Sequence, residues 1–117
     1  MELANWLKIC THVSHFGSNL SKPAPTAIII NLGGGVVSDI GGFVAATYMR
    51  GVRFINITTT LLGMVDASAG GKTGIDLDHY KNMVGLFAFP EKVIVDPIFL
   101  KTLPDQEWRN GVAEMLK

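Results

Sequence analysis

Apolar and polar residues fall along this chain in blocks, and their periods predict an α/β order. Leu3, Trp6, Leu7 and Cys10 recur at helical spacing and predict a first helix to about residue 15. Gly17-Ser18-Asn19 and Ser21-Lys22-Pro23-Ala24-Pro25 then form a loop that the prolines keep extended. Thr26–Leu32 (TAIIINL) is a nearly continuous β-branched run, which predicts a strand buried on both faces of a parallel sheet. Gly33-Gly34-Gly35 ends it at once, and helical character runs over Val36–Arg50. Arg53–Ile57 is the next strand, and Thr60–Ala67 a short helix whose Leu61, Leu62, Met64 and Val65 serve mostly the core. Lys92–Asp96 is a third strand closed by Pro97, followed by a helical turn over Phe99–Leu103. Pro104-Asp105 opens a last helix, in which Trp108, Val112 and Leu116 share one face.

One stretch does not fit this alternation. Val65–Asn82 (VDASAGGKTGIDLDHYKN) sets Asp66, Lys72 and Lys81 around Gly70, Gly71 and Gly74, with only Ile75, Leu77 and Tyr80 bulky and apolar. Adjacent glycines let a backbone take positive φ and come close to a ligand, a freedom that costs stability unless something uses it. Two cations and a carboxylate beside such a backbone suit an anionic, polyhydroxylated ligand. A solvated surface loop is the competing reading.

Composition narrows the classes. The chain has 117 residues, 48% hydrophobic and 17% charged, which describes a globular, rather apolar domain. Its formal net charge of +0 carries no excess that would favour nucleic acid or an anionic membrane as partner. The single cysteine, Cys10, excludes an internal disulfide and fits a reducing compartment. Glu2 stands early and no long apolar core follows it, so no secretory signal is expected, and no run is long enough to span a bilayer. These features predict a soluble, cytoplasmic protein.

Strand, glycine turn, helix is the arrangement that aims free backbone N–H groups and a positive helix end at phosphate. The dinucleotide fingerprint G-x-G-x-x-G is met at Gly33 and Gly35, with Ser38 in place of the third glycine, and a small residue there still permits close helix packing. A simple tight turn is the alternative. An ordinary dehydrogenase domain would carry Asp or Glu at the end of the next strand; here Asn56 stands, followed by Thr58, Thr59 and Thr60. Gly71-Lys72-Thr73 resembles the end of a phosphate loop, but Asp66 occupies that pattern's first glycine and a helical run precedes it, so the NTPase reading is rejected. Glu114 and Lys117 lie three apart, close enough to converge on one ligand or to form a surface ion pair. His12 and His15 have no third partner and read as surface or helix-end histidines.

Several blocks together resemble the 3-dehydroquinate synthase family: Gly33–Asp39, Gly42–Val52, Thr59–Leu62, Val65–Gly74, Lys81-Asn82, Thr102–Pro104 and Gly111–Lys117. The likeness runs from about residue 27 to the last residue, in the family's order and spacing. It implies an α/β, Rossmann-like nucleotide-binding domain with parallel strands and a Gly-rich phosphate turn. Residues 1–103 would be part of that domain and residues 104–117 the first helix of a helical C-terminal domain. It also implies an NAD-dependent, divalent-metal (zinc or cobalt) cyclase that converts a keto-sugar acid phosphate (DAHP) into 3-dehydroquinate, in the shikimate route to aromatic amino acids. In that cycle bound NAD oxidises a ring hydroxyl and later returns the hydride, with phosphate eliminated in between.

By position in the family pattern, Gly34, Gly35, Val36, Ser38 and Asp39 would hold NAD's pyrophosphate and neighbouring groups. Thr59, Thr60, Lys81 and Phe99, Leu100, Lys101 and Thr102 match its other nucleotide contacts. Arg50, Asp66, Lys72, Asn82 and Lys117 match substrate-binding positions, with Lys72 also near the nicotinamide. Glu114 matches the first metal ligand, and a catalytic metal needs two more protein ligands and an open position. The family's two histidine ligands belong to the helical domain, and His79 is not at a ligand position. The family's usual proline is replaced by Thr58, a change expected to alter turn rigidity more than chemistry. The last helix pattern stops at Lys117 without a capping glycine, which reads as a truncation, so the isolated chain is expected to be inactive. A homodimer is the only protein partner implied for the full-length protein. The alternatives are another sugar phosphate cyclase (2-deoxy-scyllo-inosose or 2-epi-5-epi-valiolone synthase-like), a more distant polyol dehydrogenase, or a non-catalytic nucleotide-binding fragment.

Overall fold

A computed structural model describes residues 27–67, 70–77 and 80–116. The predicted first helix and proline loop, with Cys10, His12 and His15, lie outside those residues, as do His79 and Lys117.

Three strands, β1 (Ile28–Gly33), β2 (Arg53–Thr58) and β5 (Lys92–Val95), form a parallel sheet in the order β1-β2-β5. Between the first two runs helix α1 (Gly35–Thr47), the crossover that a parallel pair requires. Its N-cap is Gly34, with no side-chain cap, so the helix starts directly from the glycine turn. It ends earlier than the sequence predicts: Tyr48–Arg50 is a 3₁₀ turn in which Met49 and Arg50 have φ of 48° and 70°. Gly51, at φ 115°, then returns the chain to β2.

Ile29 and Phe54 on the sheet pack against Val44 and Ala45 on α1 as the buried core, with Ile40, Val52 and Ala88 around it. Each large apolar side chain so buried contributes about 2 kcal/mol. The opposite face of the sheet departs from the expectation of burial on both sides. Ile30 and Leu32 are 57% and 58% exposed, and no described element covers them.

Val65–Asn82 is neither a simple loop nor a helix. The chain after Thr60 winds through one wide π turn, Gly63–Ala67. A hairpin follows, β3 (Lys72–Leu77) antiparallel to β4 (Tyr80–Phe87), with an irregular register between Ile75 and Leu77. This hairpin also packs on α1, so the helix touches both the sheet and the hairpin. Two neighbouring glycines allow both contacts. A β-carbon on Gly41 would overlap the side-chain oxygen of Asn31 in the sheet, and one on Gly42 would come within 2.5 Å of Thr73 Cγ2 in the hairpin. Thr73 is buried and donates its hydroxyl to the Leu86 carbonyl at 2.9 Å.

After β5 a 3₁₀ turn, Pro97–Thr102, is capped by Asp96, whose Oδ1 accepts from the Ile98 amide at 2.9 Å. Helix α2 (Asp105–Met115) then docks through Gly111, where a β-carbon would come within 2.6 Å of Leu61. The predicted apolar face of α2 is not what it buries: Trp108, Val112 and Leu116 are exposed.

Candidate functional site

Because all three sheet strands are parallel, their C-terminal ends lie on one edge. The register makes those ends level: Gly33 stands opposite Thr58, and Thr58 opposite Val95. Three loops therefore leave the sheet side by side, Gly34-Gly35, Thr59-Thr60 and the Asp96–Thr102 turn. That edge is where open α/β sheets bind ligands.

The first two loops are tied together. The Thr59 amide donates to the Gly33 carbonyl at 2.9 Å. The Gly63 amide donates to Thr60 Oγ1 at 3.1 Å, which folds the wide turn back over the glycines. A β-carbon on Gly34 would stand 2.9 Å from Thr60 Cγ2, and one on Gly63 3.4 Å from the Gly35 amide nitrogen. This turn accepts no side chain at Gly34 without displacing Thr60. Among the described residues the first helical bonds of α1 start at Val37 and Ser38, both donating to the Gly34 carbonyl. The amides of Gly35 and Val36 thus head the helix as donors, at its positive end. A phosphate fits that chemistry.

Ser38 is buried, its hydroxyl donating to the Gly34 carbonyl at 3.5 Å, which packs the start of the helix against the glycine turn. Asp39 is half-buried. Burial first, then the charges of Asp66 and Asp76, raise its carboxyl above its ordinary value of 3.8. Asp66 on the wide turn and Asp76 on the hairpin are thus near enough to α1 for their charge to act on Asp39. The described residues hold no set of three His, Cys, Asp or Glu side chains arranged to take a metal.

Asp76 is a residue that sequence patterns alone do not single out. Its Oδ1 accepts from the Asn82 amide at 2.9 Å, and Asn82 sits at φ 55°. A carboxylate thereby holds Asn82 in a backbone conformation that non-glycine residues rarely adopt. The alternation of Thr73, Ile75 and Leu77 before a reversal near residue 78 is the signal that would have placed Asp76 across from Lys81 and Asn82.

The hairpin runs along α1 with Thr73 against Gly42 and Asp76 facing Asp39. Lys81 and Asn82 therefore sit toward the glycine turn and Lys72 toward the other end of the helix, about 13 Å along the strand from Asp76. Gly71 does take positive φ (64°), but a phenyl ring is what approaches it: a β-carbon there would lie 2.5 Å from Phe89. Gly70 meets nothing within 4 Å. Arg50 is separated from the glycine turn by the whole of α1, about 20 Å. Its left-handed backbone marks a strained position, as at Asn82, but the structure does not bring it to the same edge. Glu114 is half-buried on α2, one turn beyond the Gly111–Leu61 contact, and so on the helix that docks against the wide turn. Lys117 lies outside the described residues. Phe99 and Leu100 are half-buried and Lys101 and Thr102 exposed, all in the turn that follows β5. Thr58 is in the strand and not in a turn: it is fully buried, and its hydroxyl donates to the Ile94 carbonyl at 3.4 Å, linking β2 to β5. The departure at this position acts on strand pairing rather than on a turn.

No helix among the described residues is long and apolar enough to cross a membrane. Comparison with known proteins gives a consistent picture. A 3-dehydroquinate synthase from Prochlorococcus marinus (strain MIT 9211) is 50% identical over 103 residues, 88% of this chain and 28% of that protein. The chain thus spans little more than a quarter of the curated relative it matches. Among solved structures, ValA, a 2-epi-5-epi-valiolone synthase from Streptomyces hygroscopicus subsp. jinggangensis 5008 with NAD+ and Zn2+ bound, superposes with a TM-score of 0.85 at 36% identity, over 98% of this chain and 31% of that one. A 2-deoxy-scyllo-inosose synthase complexed with carbaglucose-6-phosphate, NAD+ and Co2+ superposes with a TM-score of 0.81 at 25% identity, over 98% and 30%. The family model for the 3-dehydroquinate synthase N-terminal region matches residues 5–110, and the chain belongs to that family.

Proposed function

We propose that this chain supplies the nucleotide-binding edge of a 3-dehydroquinate synthase-type cyclase, a carbon–oxygen lyase that converts DAHP into 3-dehydroquinate with loss of phosphate. The observation that carries the reading is the level register of Gly33, Thr58 and Val95, which brings the glycine turn, Thr59-Thr60 and the Pro97–Thr102 turn to one edge. NAD, when bound, would take a hydride from a substrate carbon and return it, so that no net oxidation results.

The residues present fit such a nucleotide. Gly35 and Val36 offer amides to a pyrophosphate, and the bare Gly34 lets Thr60 pack beside them. Thr60 Oγ1 already accepts from Gly63, so its own proton is directed elsewhere, toward an acceptor on the ligand. Asp39 lies four residues on from Gly35, where a ligand hydroxyl or amide donor would favour the charged carboxylate that burial and the charges of Asp66 and Asp76 disfavour. Lys81 and Asn82, at the near end of the hairpin, suit the anionic and hydroxyl groups of a sugar phosphate. A zinc or cobalt ion would take Glu114 as one oxygen ligand, with its remaining ligands outside the described residues.

The test joins this chain to the C-terminal remainder of the Prochlorococcus relative and supplies DAHP, NAD and zinc. The expected result is phosphate release together with 3-dehydroquinate. The isolated chain is expected to give neither product. Phosphate release from a different sugar phosphate, with none from DAHP, would replace the reading by the 2-epi-5-epi-valiolone synthase alternative, which the 36% identity and 0.85 TM-score to ValA favour.

A further inference from the structure

Strands β1 and β2 share a tripeptide pattern, Ile30-Asn31-Leu32 beside Ile55-Asn56-Ile57, and the register sets the two asparagines opposite each other. Both are buried, at 4% and 3% exposure. Asn31 Nδ2 donates to Asn56 Oδ1 at 2.8 Å, and among the described residues no other hydrogen bond reaches either side-chain amide. Each amide has two donor protons and an acceptor oxygen, so most of that capacity is unused among the described residues. An apolar pair of the same shape is as stable as such a pair or more so. Stability is therefore not what the asparagines supply.

Their neighbours show what they do supply. On the same buried face stand Ile29 on β1 and Phe54 on β2, and on the opposite face Leu32 and Ile57, apolar residues that do not by themselves fix a pairing. A slip of one residue would turn one strand's side chains to the wrong face. A slip of two would keep the faces right, but it would part the asparagines, setting Asn31 opposite Phe54 or Thr58 and breaking the bond from the Thr59 amide to the Gly33 carbonyl. α1 adds to the lock, for Gly41 sits directly over the Asn31 amide. The pair lies two residues before Gly33 and Thr58, where the loops of the proposed nucleotide edge begin.

We infer that Asn31 and Asn56 are positioning residues: their amide pair holds β1 and β2 in the one register that sets Gly34-Gly35 beside Thr59-Thr60. The inference rests on the nucleotide reading for its ligand but not for its geometry, and the test separates the two. Asn31→Leu/Asn56→Leu is compared with the parent chain in urea denaturation, amide hydrogen exchange and calorimetric titration with NAD. The double variant is expected to match or exceed the parent in stability, to exchange the Thr59 amide at least tenfold faster against an unchanged background, and to bind NAD at least tenfold more weakly. Parental protection of the Thr59 amide in a stable double variant would overturn the inference. So would acceleration spread evenly over all amides, which would mark a merely structural role. If the leucines unfold the chain, the smaller Asn31→Val/Asn56→Val pair is measured in the same way, and loss of the fold in both variants also overturns it. A parent chain that binds no NAD would defeat the nucleotide reading, while the exchange result would still decide the register claim.

Discussion

α1 meets the sheet and the hairpin through adjacent glycines, and the two contacts differ in kind. Under Gly41 lies a buried amide that is itself held by a partner on the next strand. Under Gly42 lies the methyl group of Thr73, on a two-stranded hairpin whose β4 is largely exposed. The sheet side is over-determined, because helix, amide pair and strand register constrain one another. The hairpin side is held by the Thr73 side chain with only the edge of the Phe54 ring, 3.4 Å away, behind it, and has more room to shift. Local rigidity here follows from how many elements share a contact, not from how close the contact is.

Substitutions that load each side in turn sharpen that contrast. Gly41→Ala should be the most damaging: its β-carbon cannot coexist with the Asn31 oxygen, so the amide pair breaks or the helix lifts. We expect a loss of about 3 kcal/mol in urea denaturation, overpacking and an unpaired amide together outweighing the better helix propensity of alanine. Gly42→Ala meets the Thr73 side chain at 2.5 Å and the edge of the Phe54 ring at 3.4 Å, and should cost less, about 1 kcal/mol, since the exposed hairpin can yield and alanine favours the helix. Equal losses for the two would erase the distinction between the layers.

The smallest effect concerns charge. In the folded chain Asp39 holds its proton to higher pH than in the unfolded chain, because burial and then Asp66 and Asp76 disfavour its charged form. The folded state thus binds more protons, and stability falls as pH rises from the ordinary value of 3.8 through the raised one. Asp39→Asn should remove that part of the decline and leave the chain more stable than the parent at pH 7. Denaturation midpoints taken from pH 4 to pH 7 check it, and a decline as steep in the variant would count against the carboxylate cluster.

Much of the sheet was legible in the sequence because β1, β2 and β5 are compact apolar runs with abrupt ends at Gly33, the threonines and Pro97. The strand positions agree within a residue or two. Their environment does not: the β-branched run of β1 reads as buried on both faces, yet Ile30 and Leu32 lie open. Composition reports what a residue prefers and not whether a neighbour is there to cover it. The hairpin was hidden for another reason. Gly-Lys-Thr-Gly reads as a loop, and the alternation that marks β3 is carried by a buried threonine hydroxyl as much as by apolar side chains. At the site, residue types pointed to the glycine turn and the paired threonines, which the fold does set side by side. The separation of Arg50 could not be seen, because it depends on the length and direction of α1 rather than on any local pattern.

The level strand ends carry a further consequence. Neighbouring strands lie about 4.8 Å apart, so the three loops sample an extended ligand at fixed intervals over roughly 10 Å. A strand that keeps its buried face can move relative to its neighbour only two residues at a time, each step displacing one loop by about 6.6 Å while the others stay in place. Recognition at this edge is therefore quantised: damage to the pairing would appear as a second discrete population in which one loop has withdrawn from the ligand, and not as a gradual blurring of all three.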